Sequence, residues 1–342
     1  MLTLNNFIGN TDLRRLLQIS VIAARQTNSA LPHVLLKGPP GTGKTTLAEV
    51  VARAFGTVPI AITPATAKKA EDLRKLFMRM PDEGYDAAGH VVGTIKPQIV
   101  FCDEIHQLSL LAQENLGVAM QDWKLPVKVG GIDVFEWVPR FTLIGATTLP
   151  GKLSKPFLDR FKIQSDFETY SLDESIQIAN LHAEMLGITL GQNVAEAVAA
   201  RSRGVARLVV RFLERLKDAA LVAAIDNKTY ENVITIGLTE AVFREFLKVD
   251  DRGLTRADIK ILKILHTAGE PVGVDYLAVS SNEDKRTLEY SIEPYLIQEG
   301  LIVRTKQGRA LSKEGERYLE SAGHIKATER DGKNNRIIGA SK

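Results

Sequence analysis

The 342-residue chain has little of what secreted, zinc-binding or membrane proteins depend on. Its one cysteine, Cys102, cannot form an internal disulfide, which fits a reducing compartment. The six histidines show no zinc-like spacing with it, which argues against a protein-held metal cage. No run of about 18 apolar residues occurs, and Met1 to Asn10 has neither a basic start nor an apolar signal core. We therefore expect a cytoplasmic protein.

The net charge is also small, at +3, but it is unevenly distributed. Residues 303–342 hold ten Lys and Arg against five Asp and Glu, so the rest of the chain is slightly acidic. Such a basic end is either a solvated tail or a contact for an anionic partner, and a folded module beside it favours the partner.

Two patterns of secondary structure follow each other along the chain. Amphipathic helices first alternate with short apolar strands at His33 to Lys37, Gln98 to Cys102 and Phe141 to Gly145, which predicts an α/β fold with a mostly parallel sheet. From Leu172 to about Leu247 the pattern is helical, and residues 255–311 give three short helices and a hairpin, the winged-helix order. We predict an α/β domain at 1–167, a small helical domain at 168–248, a winged-helix domain at 249–322 and a flexible basic tail at 323–342.

A phosphate-binding loop follows the first strand. Its sequence is Gly38-Pro39-Pro40-Gly41-Thr42-Gly43-Lys44-Thr45, and a helix is predicted from Thr45 to Phe55. Glycines let backbone N–H groups turn towards phosphates, and the helix N-terminus adds its positive dipole. Lys44 then reaches the β- and γ-phosphates, and the Thr45 hydroxyl ligates Mg²⁺. Nucleotide binding is assigned to Gly38, Pro39, Gly41, Thr42, Gly43, Lys44, Thr45 and Thr46.

The strand at Gln98 to Cys102 ends in two acidic residues, Asp103 and Glu104. Carboxylates at the end of a buried strand suit metal-assisted phosphoryl transfer. Asp103 would hold Mg²⁺ directly or through water, and Glu104 would polarise the attacking water. Because switch-type GTPases orient that water with a glutamine, the glutamate favours hydrolysis of ATP.

Three further residues are candidates for completing this site. Thr148 follows the strand at Phe141, and its hydroxyl would sense the γ-phosphate, with Thr147 as the alternative. Arg160 is poorly placed for its own nucleotide and is interpreted as an arginine finger for a neighbouring subunit, the alternative being a surface charge. Arg207 begins a helix of the second domain and would report the γ-phosphate to it.

The order of these motifs resembles the AAA+ ATPases and, more narrowly, the RuvB family of bacterial Holliday-junction branch-migration motors. The resemblance covers about residues 5 to 320. Its most specific segments are Asp103-Glu104-Ile105-His106-Gln107-Leu108 and Glu293-Pro294-Tyr295-Leu296-Ile297-Gln298-Glu299-Gly300. Phe7-Ile8-Gly9, Asp159-Arg160-Phe161 and Pro271-Val272-Gly273 add to it.

The resemblance implies an AAA+ P-loop domain with a parallel sheet, a small helical lid and a C-terminal winged helix that binds DNA, acting in DNA recombination and repair. It places Ile8 beside the adenine and makes Thr148 the first sensor and Arg207 the second. Lys44, Thr45, Asp103 and Glu104 form the site in cis, and Arg160 is the finger in trans. A finger in trans requires a neighbour, so a ring is implied, usually of six subunits.

The wing and a hairpin supply the expected contacts with partners. Arg304, Lys306 and Arg309 flank the predicted wing turn, where cations meet phosphates without reading bases; the alternative is a wing with protein contacts only. Residues 127–134 alternate around a Gly-Gly turn and predict a hairpin. In the family this hairpin docks on the junction-binding protein RuvA, but here it lacks the usual apolar tip. An extra polar stretch at 82–96 and Leu149, in place of an arginine, are further departures.

Three functions remain open. The sequence favours a ring-forming motor that couples ATP hydrolysis to branch migration or duplex translocation. The alternatives are a clamp-loader-like or initiator-like switch that assembles on ATP binding, and a remodeller whose winged helix binds another protein. A small-molecule kinase is disfavoured, because Arg160, Arg207 and the C-terminal module would have no role.

Overall fold

The computed structural model describes residues 1–80, 97–227 and 232–325. The chain divides into two units, Met1–Thr239 and Glu240–Lys342. The extra stretch at 82–96 and all but the first three residues of the predicted tail lie outside the described residues. Within the described parts, no helix combines the length and apolar character needed to cross a membrane.

The first unit begins with alternating helices and strands, as predicted. In chain order these are α1 (Thr11–Thr27), β1 (Val34–Lys37), α2 (Lys44–Phe55), β2 (Ile60–Ile62), α3 (Ala70–Phe77), β3 (Gln98–Cys102), α4 (Leu110–Asp122), β4 (Lys124–Val129), β5 (Ile132–Trp137), β6 (Phe141–Thr147), α5 (Lys155–Leu158) and β7 (Ile163–Asp166). The mainly helical part that follows contains α6 (Leu172–Leu186), β8 (Thr189–Leu190), α7 (Val194–Arg201), α8 (Ala206–Asn227) and β9 (Val233–Ile234). Helix α9 (Ile236–Ala241) spans the division between the units.

A five-stranded parallel sheet of order β2-β3-β6-β1-β7 is the framework of the first unit. Successive residues of a strand point to opposite faces, and in β1 Val34 and Leu36 pack into one apolar cluster while Leu35 packs into the other. Both faces are therefore covered, which explains the continuous apolar runs in the sequence. Because the strands are parallel, the loops after β1, β3 and β6 meet at one edge of the sheet.

A buried histidine connects the beginning of β1 to its neighbours. His33 Nδ1 accepts the Leu143 N–H at 2.9 Å, and the Nε2–H donates to the Met120 carbonyl at 3.1 Å. Burial lowers the pKa of His33 from 6.5 to about 4, the Met120 hydrogen bond opposing and Lys162 adding to the shift. The imidazole is therefore neutral in the folded protein.

Acidification is expected to destabilise the first unit through His33. Below about pH 6.5, His33 becomes protonated in the unfolded chain, whereas in the folded chain it stays neutral down to about pH 4. The free energy of unfolding therefore falls as the pH falls through this window. Between about pH 7.5 and about pH 5 the His33 contribution should cost about 2 kcal/mol. Urea unfolding of the wild type and of His33→Gln across this pH range measures the change in the free energy of unfolding. An equal decrease in both proteins would contradict the prediction.

The second unit has the predicted winged-helix order. Its elements are α10 (Arg256–Ala268), α11 (Val274–Ser281), α12 (Lys285–Thr287), α13 (Glu293–Gln298), β10 (Ile302–Arg304), β11 (Arg309–Leu311) and α14 (Lys313–Ser321). Thr255 caps α10 reciprocally with Asp258. The third of the three predicted helices is interrupted by a π-helical stretch, Leu288–Ile292, between α12 and α13. Pro294, in the first turn of α13, cannot donate a backbone hydrogen bond to the preceding turn.

Candidate nucleotide site

The phosphate-binding loop between β1 and α2 is held in shape by Lys44. The ammonium Nζ donates to the carbonyls of Gly38 and Pro39 at 2.8 and 2.6 Å, so one of its three N–H groups is left for a phosphate. Burial lowers the pKa of Lys44, Arg207 adds to this, and Glu104 and Asp103 oppose it. The loop thus has a cation whose position is fixed by its own backbone.

The loop also touches the helical part of the unit. Gly41 has a φ of +78°, and a Cβ built there would lie 2.7 Å from Val205 Cγ1, so only glycine fits without strain. The Arg207 N–H donates to the Gly41 carbonyl at 3.3 Å. The phosphate-binding loop is therefore in direct contact with the first turn of α8.

Tyr170 is a second link between the loop and the helical part, and no motif in the sequence pointed to it. Its hydroxyl donates to the Thr42 carbonyl at 3.0 Å, and its backbone N–H donates to the Gly204 carbonyl at 2.8 Å. Burial, followed by Glu174, raises the pKa of Tyr170 to about 12, so the phenol keeps its proton.

Tyr170→Phe is expected to weaken nucleotide binding while leaving the fold intact. The change removes one hydrogen bond, worth about 1 kcal/mol, and the dissociation constant for ATP should rise roughly five-fold. Equilibrium titration with a fluorescent ATP analogue measures this. Tyr276→Phe, a change at an exposed tyrosine of the second unit, is the control, and equal affinities of the two variants would contradict the role given to Tyr170.

The first metal-ligand candidates lie side by side. The Thr45 hydroxyl donates to Asp103 Oδ2 at 3.4 Å, and Asp103 Oδ1 accepts the Glu104 N–H at 3.0 Å. In the described residues, no group of three or more His, Cys, Asp and Glu could hold a metal ion by itself. One hydroxyl and one carboxylate fit Mg²⁺, which takes most of its ligands from water and phosphate.

Glu104 is held in place by the ends of two strands. It has a left-handed backbone conformation, with φ 46°, which is unusual for glutamate and aims its side chain across the sheet edge. Its Oε2 accepts from the Thr148 N–H at 3.2 Å and from the Thr148 hydroxyl at 3.0 Å. The predicted water-activating carboxylate and the predicted first sensor are therefore in direct contact.

His106 completes this cluster and was not predicted as a site residue. Its Nδ1 lies 3.0 Å from Glu104 Oε2 and 3.0 Å from the Thr147 hydroxyl. Burial lowers the pKa of His106, Lys152 adds to this, and Glu104 opposes it. The signal in the sequence was its place two residues after Glu104, which the structure shows to be within a single helical turn, Ile105–Gln107.

A cleft of about 780 Å³ collects most of the predicted nucleotide residues. Among its lining residues are Ile8, Gly41, Gly43, Lys44, Thr45, Thr46, Asp103, Glu104 and Arg207. Phe7, Ile178 and Leu181 give the cleft an apolar end at Ile8, which suits a purine base. Gly38, Pro39 and Thr42 are not among the lining residues, and the buried Thr42 hydroxyl donates to the Pro39 carbonyl at 2.9 Å. Thr42 can therefore reach a phosphate only through its backbone.

Arg160 lies away from the cleft. Its guanidinium donates to the Pro156 carbonyl and packs on α4, where a Cβ added to Gly117 would lie 3.1 Å from Arg160 Nε. Nε is buried without a hydrogen-bond partner, and no carboxylate pairs with Arg160 in the described parts of the chain. Arg160 is thus a partly exposed cation without a counter-charge among the described residues, and its role as a finger in trans stays a prediction.

Three models of RuvB domains match consecutive parts of the chain. They are the RuvB Holliday junction DNA helicase P-loop domain (residues 2–167), the RuvB AAA lid domain (170–241) and the RuvB C-terminal winged helix domain (251–320). The RuvB subunit of the Holliday junction branch migration complex of Gluconobacter oxydans is 39% identical over 323 residues, 93% of this chain and 86% of that protein. The chain belongs to the RuvB family.

Other RuvB proteins extend the match to nearly the whole chain. The RuvB subunit of Synechococcus sp. (strain RCC307) is 37% identical over 326 residues, 93% of this chain and 88% of that protein. The solved structure of the Thermotoga maritima RuvB Holliday junction branch migration motor is 31% identical, with a TM-score of 0.74 over 93% of this chain and 97% of that one. As a RuvB protein the chain is an AAA+ ATPase with a P-loop, a lid and a winged-helix domain.

In the wing, the predicted DNA contact Arg309 is paired with two carboxylates. Its guanidinium is only 11% exposed and pairs with the buried Glu293 at 2.6 Å and with Glu289 at 3.5 Å. Arg304 also contacts Glu293, at 3.1 Å, but remains 57% exposed. Arg309 therefore holds the wing against the helix that contains Glu293, and its contact with DNA stays a prediction. Arg304 and the exposed Lys306 stay candidates.

The predicted hairpin of this RuvB protein is formed by β4 and β5, with Val127 opposite Val134. Its turn is Gly130-Gly131, but Ile132 and Phe135 are exposed beside that turn, by 68% and 65%. The hairpin thus presents apolar surface next to its tip, although the tip itself is not apolar.

Proposed function

We propose that this chain is the motor subunit of Holliday-junction branch migration, and that it assembles into a ring, of six subunits, in which ATP hydrolysis drives the movement of DNA. The observation that carries the proposal is the contact of Thr148 with Glu104, a residue that lines the nucleotide cleft, while Arg160, which has no ion pair in the described residues, lies outside the cleft. A site with its acid in cis and a spare guanidinium elsewhere suits shared catalysis between subunits.

Lys44 and the backbone N–H groups of its loop would bind the phosphates of ATP, with the base at the apolar end beside Ile8. Thr45 and Asp103 would hold Mg²⁺, which neutralises charge on the β- and γ-phosphates when bound. Glu104 would accept the proton of the attacking water. All these groups converge at the carboxyl edge of one sheet, so binding and chemistry are positioned together.

Thr148 would join detection of the γ-phosphate to activation of Glu104. Its hydroxyl has one proton, which Glu104 Oε2 accepts in this structure. If a γ-phosphate oxygen takes this proton instead, Glu104 loses a donor and its carboxylate becomes more basic. His106 and the Thr148 N–H would keep the carboxylate in position during the exchange.

Arg207 would transmit the state of the nucleotide to the lid. It lines the cleft, and its backbone donates to Gly41 in the phosphate-binding loop. A change of charge at the γ-phosphate would therefore act on α8 at two points.

The exposed hairpin residues Ile132 and Phe135 would supply the apolar contact for a RuvA-like protein.

The proposal is tested with four-way junction DNA whose arms separate into labelled duplexes. The purified chain, with ATP, Mg²⁺ and a RuvA-like protein, should release phosphate faster when the junction is present and convert it to duplex products. Lys44→Ala is the control for ATP dependence. ATP-dependent assembly without junction movement would favour the loader-like switch, and phosphate release that ignores DNA and partner would contradict the motor.

A further inference from the structure

A shallow basic groove lies on the second unit, apart from the wing cations. It has a volume of about 330 Å³ and is lined by Arg256, Ile259, Lys260, Lys263 and His324. We call it the α10 groove. Its three cations occupy positions i, i+4 and i+7 of α10 and therefore share one face of that helix, over about 10 Å of its length.

The charge of the α10 groove is not neutralised by the protein. Arg256, Lys260 and Lys263 are exposed, and no Asp or Glu of the described residues forms an ion pair with any of them. Lys260 Nζ donates to the Ser281 carbonyl at 2.7 Å, which fixes its position but leaves its charge. Burial lowers the pKa of His324, Lys263 adds to this, and Asp250 opposes it, so His324 contributes a neutral ring.

Several other cations of the same unit are paired. Arg309 pairs with Glu293 and Glu289, Lys285 with Asp275, and Arg252 with Glu314. The helical segment 285–298 has Lys285 and Arg286 only at its beginning, and Glu289 and Glu293 follow. This segment is therefore a poor surface for phosphates, whereas Arg256, Lys260 and Lys263 form no ion pair within the described residues and share one face of α10.

We propose that the α10 groove is a second binding surface for the phosphate backbone of duplex DNA, separate from Arg304 and Lys306 of the wing. The inference rests on the proposed function, in which this unit holds DNA. Lysine and arginine donors bind phosphate oxygens, and the groove has no Asn or Gln among its lining residues to read adenine. Binding there is independent of sequence, which a motor that passes along any duplex requires.

The test is the salt dependence of duplex binding by the full chain, measured by fluorescence anisotropy. The variant is Arg256→Gln combined with Lys263→Gln; Lys260 is left intact because it holds the end of α11. Loss of two phosphate contacts should make the slope of log K against log salt less steep by about two and weaken binding equally for unrelated duplexes.

Two matched variants separate this site from net charge and from the wing. Lys248→Gln with Lys313→Gln removes the same charge from exposed positions elsewhere in the unit and should leave the slope unchanged. Arg256→Lys with Lys263→Arg keeps the charge and should restore the slope, which also shows that the fold tolerates changes there. An Arg256→Gln/Lys263→Gln slope equal to that of the Lys248/Lys313 variant overturns the α10 groove while the wing contact stands. A wild-type chain that binds no duplex overturns the proposed function itself.

Discussion

Arg160→Ala is expected to lower ATP turnover by the assembled protein by about 10³- to 10⁵-fold, the range for removal of an arginine finger. The guanidinium lies outside the cleft of its own chain and has no carboxylate partner in the described residues, so its loss removes no ion pair from the fold. Affinity of the isolated chain for ATP should therefore stay the same. Steady-state phosphate release and equilibrium nucleotide binding measure the two quantities.

Lys155→Ala is the matched control for Arg160→Ala, because Lys155 is an exposed cation in the same short segment, at the beginning of α5. It should keep wild-type turnover. If Arg160→Ala retains turnover within ten-fold of the Lys155 variant, Arg160 is a surface charge and not a finger.

Glu104→Gln is expected to keep ATP binding and to lose turnover by about 10²- to 10⁴-fold, the range for removal of a general base. Glutamine keeps the size of the side chain and can still accept from Thr148, but it cannot take a proton from water. The ATP-bound assembly should therefore persist. Single-turnover hydrolysis with size-exclusion chromatography in ATP measures both effects.

The control for Glu104→Gln is Glu114→Gln, the same change on the exposed side of α4. It should turn over ATP and disassemble like the wild type. Rapid turnover by Glu104→Gln would remove Glu104 from the role given to it.

The phosphate-binding loop and the strand ends were predictable because the residues that carry their chemistry lie close together in short sequence segments. Gly41 and Lys44 occupy fixed places in one loop, and Asp103 and Glu104 directly follow a buried strand. Parallel strands then bring these segments to one edge, so contacts such as Thr45 with Asp103 follow from local patterns and sheet topology.

Contacts between distant segments were not predictable in this way. The Tyr170 hydroxyl reaches a carbonyl 128 residues earlier in the chain, and no local pattern marks that tyrosine. Arg309 was predicted to bind DNA because it follows the wing turn, but folding places it against Glu293, which is buried. Tertiary packing decides whether a cation next to a turn forms an ion pair, and this packing cannot be predicted from the sequence of the turn alone.

The most direct test of shared catalysis is to mix two inactive variants, Glu104→Gln and Arg160→Ala. Where an Arg160→Ala subunit lies next to a Glu104→Gln subunit that places its Arg160 in the neighbouring site, that site contains both Glu104 and an arginine finger. Random mixing of equal amounts of the two variants makes about a quarter of the sites complete in this way. The account predicts that the mixture hydrolyses ATP at a substantial fraction of the wild-type rate, far above either variant alone. Activity no greater than the average of the two separate variants would contradict it.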